Sequence, residues 1–141
     1  MPRFAPFGYS RNIVSFTVPF TGFLTVVAVN LCLSKSIPFA CELERVEIVT
    51  TVVGTGAGAT RALNVRNGTA TGTIAGTVTA TLADQGVLGV VTAGTVTTAA
   101  KANKFGAGDA LTIEFPNAGT AFTAGGFELL LTFRDKNQTP V

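Results

Sequence analysis

The sequence predicts an all-β protein: an antiparallel β-sandwich of jelly-roll type, preceded by an extended N-terminal arm. Three observations lead there. Nearly every periodic segment alternates with period two, the signature of half-buried strands. Turn signals recur between these segments at short spacing, giving about eight or nine short strands, as sandwiches and jelly rolls do. Helical patterning is nearly absent, the best candidate being "ATLADQGVL", which Gly86 cuts to a turn or two.

The N-terminal stretch "MPRFAPFGYSRNIVSFTVPFTGF" packs aromatics among prolines, glycines and two arginines. Before Ile13 it lacks strand periodicity, and Pro2 and Pro6 favour an extended path. Exposed aromatics mixed with arginine are typical interface anchors. Residues 1–22 are therefore expected to be an arm whose contacts are Arg3, Phe4, Phe7, Tyr9, Arg11, Phe16, Phe20 and Phe23. A single sandwich domain is expected over 23–134, with a short tail over 135–141.

Within the domain, "FLTVVAVNLCL" is apolar on both faces, as a strand covered on both sides would be. "CELERVEIVTTVV" alternates, but its apolar parity switches between Leu43 and Val46, which a β-bulge near Arg45 explains. "RNGT" places Asn67-Gly68 between "RALNV" and "TATGTI", a strong short hairpin signal. The Thr/Gly-rich stretch 69–98 holds the echo "GTVTATL" and "GTVTTAA", read as threonine-lined strands. "ALTIEF" puts Leu111, Ile113 and Phe115 inward and Thr112 and Glu114 outward. "FELLLTFR" turns Phe127, Leu129, Leu131 and Phe133 inward, and "FPNAGTAFTAGG" is the loop between the two.

Composition narrows function. Hydrophobic residues make up 47% and charged residues 13%, against about 25% charged in ordinary soluble domains. A surface so poor in charge is expected to be covered by neighbours. The net charge of +2 is too small for a nucleic-acid footprint, and the arm's two arginines make a thin one. With no histidine, the commonest general base and metal ligand is missing. No catalytic residue, metal ligand or cofactor site is expected.

Several motifs invite a chemical reading. Gly54-x-Gly56-x-x-Ala59 after a strand matches a dinucleotide fingerprint, but a helix and an acidic residue about twenty positions on must follow. Here "TRALNVRNG" follows, and no carboxylate lies between Glu47 and Asp84, so a loop between strands is expected. Asp109 in "FGAGDAL" is one carboxylate where calcium wants several, and a backbone hydrogen bond at a strand entrance explains it. Glu114 and Glu128 lie outward on neighbouring-looking strands, where a glycosidase pair must be weighed against cross-strand ion pairing with Arg134. Asn67-Gly68-Thr69 is also a glycosylation sequon, but it is the hairpin turn. Cys32 and Cys41 are read as two small buried residues in preference to a disulfide. The basic-then-apolar run 11–36 has a signal-peptide look, yet its apolar part is short and interrupted by Pro19 and Gly22. With Met1 still present, it is expected to remain as folded structure.

"SIPFACELERVEIVTTVVGTGAGATRALNVRNGTA" and "NKFGAGDALTIEFPNAGTAFTAGGFELLLTFR" together resemble small β-sandwich proteins of tailed-bacteriophage virions, the capsid decoration (cement) type among them. The resemblance covers roughly 37–134. It implies a non-enzymatic, jelly-roll-like subunit on a capsid lattice, a homo-oligomer with trimers favoured, and the major capsid protein as partner. It also implies residence in the virion, after assembly in the bacterial host cytoplasm, with no small-molecule substrate and no membrane. A head-fibre base, neck or tail component is the alternative within the same class. A carbohydrate-binding sandwich is the alternative outside it, though such modules use exposed Trp or Tyr platforms and this chain has no Trp and one Tyr.

Overall fold

A computed structural model describes residues 11–18, 24–25 and 31–135. Among these residues ten strands form two antiparallel five-stranded sheets. They are β1 (Arg11–Val18), β2 (Leu31–Ser36), β3 (Cys41–Thr55), β4 (Thr60–Asn67), β5 (Thr73–Thr81), β6 (Val91–Ala93), β7 (Thr95–Val96), β8 (Lys104–Phe105), β9 (Ala110–Phe115) and β10 (Ala124–Asp135). One sheet runs β1-β10-β3-β6 with β8 also on β3; the other runs β2-β9-β4-β5-β7. The pairings nest: β4 with β5, then β3 with β6, β2 with β9, and β1 with β10. A long hairpin whose successive arms alternate between two sheets is the jelly roll, so the all-β sandwich expected from the sequence is present.

Alternation builds the core. Leu111, Ile113 and Phe115 of β9, and Leu129 and Leu131 of β10, have no exposed surface. Leu43, Ile48, Leu63 and Val65 join them from β3 and β4. The parity switch of β3 is a bulge: Thr132 pairs with Arg45 and Phe133 with Leu43, leaving Glu44 as the extra residue. On β5 the inward face passes from Ala75 to Val78 across Gly76. A Cβ at Gly76 would stand 2.9 Å from Val46 Cγ2 and 3.0 Å from the Thr95 carbonyl, so the sheets close there over a bare backbone.

The arm boundary needs correcting. Arg11–Val18 is strand β1, paired along its length with β10, and Phe16 is only 6% exposed. Its period-two set Val14, Phe16 and Val18 stands opposite Leu131, Leu129 and Phe127, all on the inward face. The sandwich thus includes Arg11–Val18, ahead of residue 23.

The hairpin at Asn67-Gly68 exists, but not as a tight two-residue turn. Among the described non-glycine residues only Ala100 and Lys101 have positive φ, so Asn67 does not, and a loop over 68–72 joins β4 to β5. The Asn67 side-chain amide donates instead to the carbonyls of Ala102 and Lys104, and Gly68 N–H donates to the Ala110 carbonyl. These ties to neighbouring segments hold the hairpin end open. Of the Gly54–Ala59 stretch expected to be a loop, Gly54 and Thr55 still belong to β3; the turn to β4 is only 56–59, closed by Ala59 N–H donating to the Gly56 carbonyl. The helical candidate is one turn, α1 (Leu82–Gln85), capped by Thr81, whose hydroxyl accepts from Asp84 N–H.

Candidate interaction surface

The carboxylates weighed as a catalytic pair stand on different sheets, Glu114 on β9 and Glu128 on β10. Glu128 accepts from the Thr17 hydroxyl at 3.0 Å. Glu114, although on the outer face, is 4% exposed; it accepts from Asn64 Nδ2 at 2.8 Å and pairs with Arg66 Nη2 at 3.0 Å. Arg66 also donates to the Gly72 carbonyl, so this buried pair pins the 68–72 loop onto the sheet. The side chain of Arg134 reaches across to Glu42 and Glu44 of β3. Asp109 accepts from Gly106 N–H at 2.7 Å, the strand-entrance role expected of it.

Both cysteines are free thiols, on opposite sheets. Cys41 is buried as expected, and burial, helped by Asp135 and Asp109, pushes its pKa up to about 11. Cys32 is exposed, which corrects that half of the expectation. It lies on the edge strand β2, on the face away from the core. Among the described residues no cluster of three metal-ligating side chains occurs, and no helix is long and apolar enough to cross a membrane.

What the surface does offer is apolar area. Val52, Val87, Leu88 and Val91 are each more than half exposed. They gather where β3, β6 and the loop after α1 meet. Thr50 N–H donates to the Val90 carbonyl, Gly89 N–H donates to the Thr50 carbonyl, and Val49 pairs with Val91. No charged side chain occurs over 48–60 or 86–100, the two stretches that build this corner. Most charges of the same sheet collect toward its other end, as the Arg134 cluster with Glu42 and Glu44 and the Arg45–Glu47 pair, while Glu128, opposite Val49 and held by Thr17, stands at the border of the apolar corner.

A second apolar feature lies between β1 and β2, each the end strand of its sheet among the described residues. A cavity of about 240 Å³ is lined by Val14, Ile37, Phe39, Cys41 and Phe133, with Lys35 and Ser36 on its polar side. Lys35 Nζ donates to the Ser15 carbonyl at 2.8 Å and stands 4.7 Å from the centre of the Phe16 ring, linking the two edges.

Of the expected arm contacts, Arg3, Phe4, Phe7, Tyr9, Phe20 and Phe23 lie outside the described residues. Arg11 opens β1 opposite Arg134, and Phe16 belongs to the core, where it is no longer available as an arm anchor. The valine and leucine corner was missed by sequence reasoning, although "GVLGVV" between glycines, inside a charge-free run, carried the signal.

The fold and surface together define a jelly-roll β-sandwich with an exposed apolar corner built from two charge-free segments. Comparison with protein-family models, with curated proteins and with solved structures finds no match.

Proposed function

We propose that this chain is a non-enzymatic structural subunit of a tailed-bacteriophage virion, of the kind that decorates the head and stabilises it by bridging major capsid subunits. The observation that carries the reading is the corner of Val52, Val87, Leu88 and Val91, held on a rigid sandwich and free of charge. Contiguous exposed apolar surface on a chain this poor in charged residues marks an interface. Burying the remaining exposed part of each of these side chains stabilises association by roughly 1–2 kcal/mol. Repetition over several copies of an oligomer multiplies that gain through effective concentration. The sequence resemblance over 37–134 points the same way.

The aromatic segment 1–10 supplies a second contact to neighbours, in a homo-oligomer for which a trimer is the favoured state. The test is the protein's place in purified particles. Mass spectrometry of density-banded virions is expected to find it at a copy number commensurate with the capsid lattice, and immunogold labelling to place it on the head. Its recovery only in the soluble fraction of the lysate contradicts the reading. Gold on the tail or neck replaces a head role with another virion role.

A further inference from the structure

We propose that the cavity between β1 and β2 binds a small free carboxylate whose apolar body is about the size of a benzene ring, and that Lys35 receives its charged end. The inference goes beyond the function proposed above and does not rest on it.

The position of Lys35 breaks the pattern of its strand. Leu33 of β2 pairs with Ile113 and Lys35 with Leu111, and both partners are fully buried on the inward face. Directly opposite residues share a face of the sheet. Lys35 therefore stands at an inward position, where alternation calls for an apolar side chain. Its ammonium crosses from β2 to β1, where Nζ donates to the Ser15 carbonyl at 2.8 Å and stands 4.7 Å from the centre of the Phe16 ring. An ammonium carries three donors, and the Ser15 carbonyl takes one, which leaves two for a guest. Among the described residues no other charged side chain lines the cavity. Asp109 and Asp135 are near enough to act on Cys41, but neither belongs to the wall, and Asp109 accepts from Gly106 N–H. A cation at the polar side of an apolar hollow suits a guest that is anionic at one end and carbon at the other.

The rest of the wall is apolar and held in place. Val14 of β1, Ile37 and Phe39 after β2, and Phe133 of β10 supply the carbon surface. Phe133 packs edge-to-face on Phe105, with ring centres 5.5 Å apart. Ile37 N–H donates to the Asp109 carbonyl at 2.8 Å, and its carbonyl accepts from Gly108 N–H at 2.7 Å. The hollow is thus formed before a guest arrives, as ligand pockets usually are. Burial pushes the Cys41 pKa up to about 11, so the thiol in the wall sets no negative charge against an anion. An apolar cavity of about 150 Å³ takes benzene. This one, at about 240 Å³, leaves beside such a ring roughly the volume of three waters, room for a methylene and a carboxylate. A sugar would press its hydroxyls against carbon, and a wholly apolar guest would leave the ammonium unused.

The test uses the full chain with carbon-13-labelled Val and Ile methyls, phenylacetate as the probe and phenylacetamide as its neutral isostere. Phenylacetate is expected to shift the Val14 and Ile37 methyls saturably, with a Kd of about 1 mM or tighter. Phenylacetamide is expected to bind at least about tenfold more weakly, the worth of a charge-assisted hydrogen bond. Lys35→Met is expected to bind the two compounds alike. Val14→Phe, which brings a ring of the chain's own to the cavity, is expected to leave Ile37 unmoved by either. Val14 and Ile37 methyls that stay unmoved in about 10 mM phenylacetate overturn the inference. Equal binding of acid and amide by the parent, or a preference for the acid that survives Lys35→Met, also overturns it. So do larger shifts at Val52, Val87 and Val91 than in the cavity, since these lie on the exposed corner. None of these results bears on the protein's place in particles, so the proposed function stands or falls separately.

Discussion

Replacing Glu114 with leucine tests the interpretation of the outer face of the β2-β9-β4-β5 sheet most sharply. Glu114 is almost fully buried there, accepts from Asn64, and faces Arg66, whose side chain is 19% exposed. Truncating one partner of a buried ion pair leaves the other charge without compensation and costs about 3–5 kcal/mol. Arg66→Met removes the other partner and also frees the Gly72 carbonyl, so it is expected to cost a similar amount. The double replacement leaves neither charge, and apolar substitutes for a whole buried pair are often close to neutral. The double variant still leaves the Asn64 amide and the Gly72 carbonyl without these partners, so it is expected to cost no more than either single replacement, which makes the coupling at least about 3 kcal/mol. Urea unfolding of the four proteins at neutral pH, read with a common m-value, measures this coupling. Additive single costs, with coupling below about 0.5 kcal/mol, would refute the pair as a coupled unit and return Glu114 to an ordinary solvated surface.

Three further outcomes are expected. Gly76→Ala sets a Cβ against Val46 and the Thr95 carbonyl, so it is expected to lower stability by about 1–3 kcal/mol in the same urea assay. Cys41 has its folded pKa raised from 9.0 to about 11. Its contribution is therefore fully present below pH 9 and lost as pH rises through about 11. Between pH 8 and pH 11 the parent is expected to lose stability relative to Cys41→Ala, by up to about 3 kcal/mol; parallel pH curves contradict the assignment. Val87→Glu with Leu88→Glu touches only exposed side chains, so it is expected to leave the unfolding free energy in the same urea assay within about 0.5 kcal/mol of the parent.

Much of the fold was legible because burial writes itself as period two. "ALTIEF" and "FELLLTFR" gave β9 and the core of β10, and the parity switch of "CELERVEIV" gave the bulge at Glu44. Phe16 shares its aromatic neighbourhood with the segment before it, but its alternation with Val14 and Val18 is the period of a core strand. Glu114 had the outward parity expected of it, but parity says only which face a side chain takes. It does not say that Asn64 and Arg66 of the neighbouring strand close on that carboxylate. Nor does an Asn-Gly step fix the turn when the asparagine amide finds partners on other segments. Arg61 makes the same point: it sits at an inward position of β4, fully buried, with its guanidinium on the carbonyls of Pro116 and Ala118. The apolar corner is assembled from segments about 35 residues apart in sequence, which periodicity within one segment cannot join.

The most direct test of the proposed function is rebinding to heads that lack this protein. Purified full-length chain is expected to co-sediment with such heads, to saturate at a fixed number of copies, and to raise their resistance to heat. The Val87→Glu, Leu88→Glu variant is expected to stay in the supernatant although it is equally folded. Failure of the parent chain to bind, or equal binding by the variant, would contradict the assignment of this corner as the surface that grips the capsid.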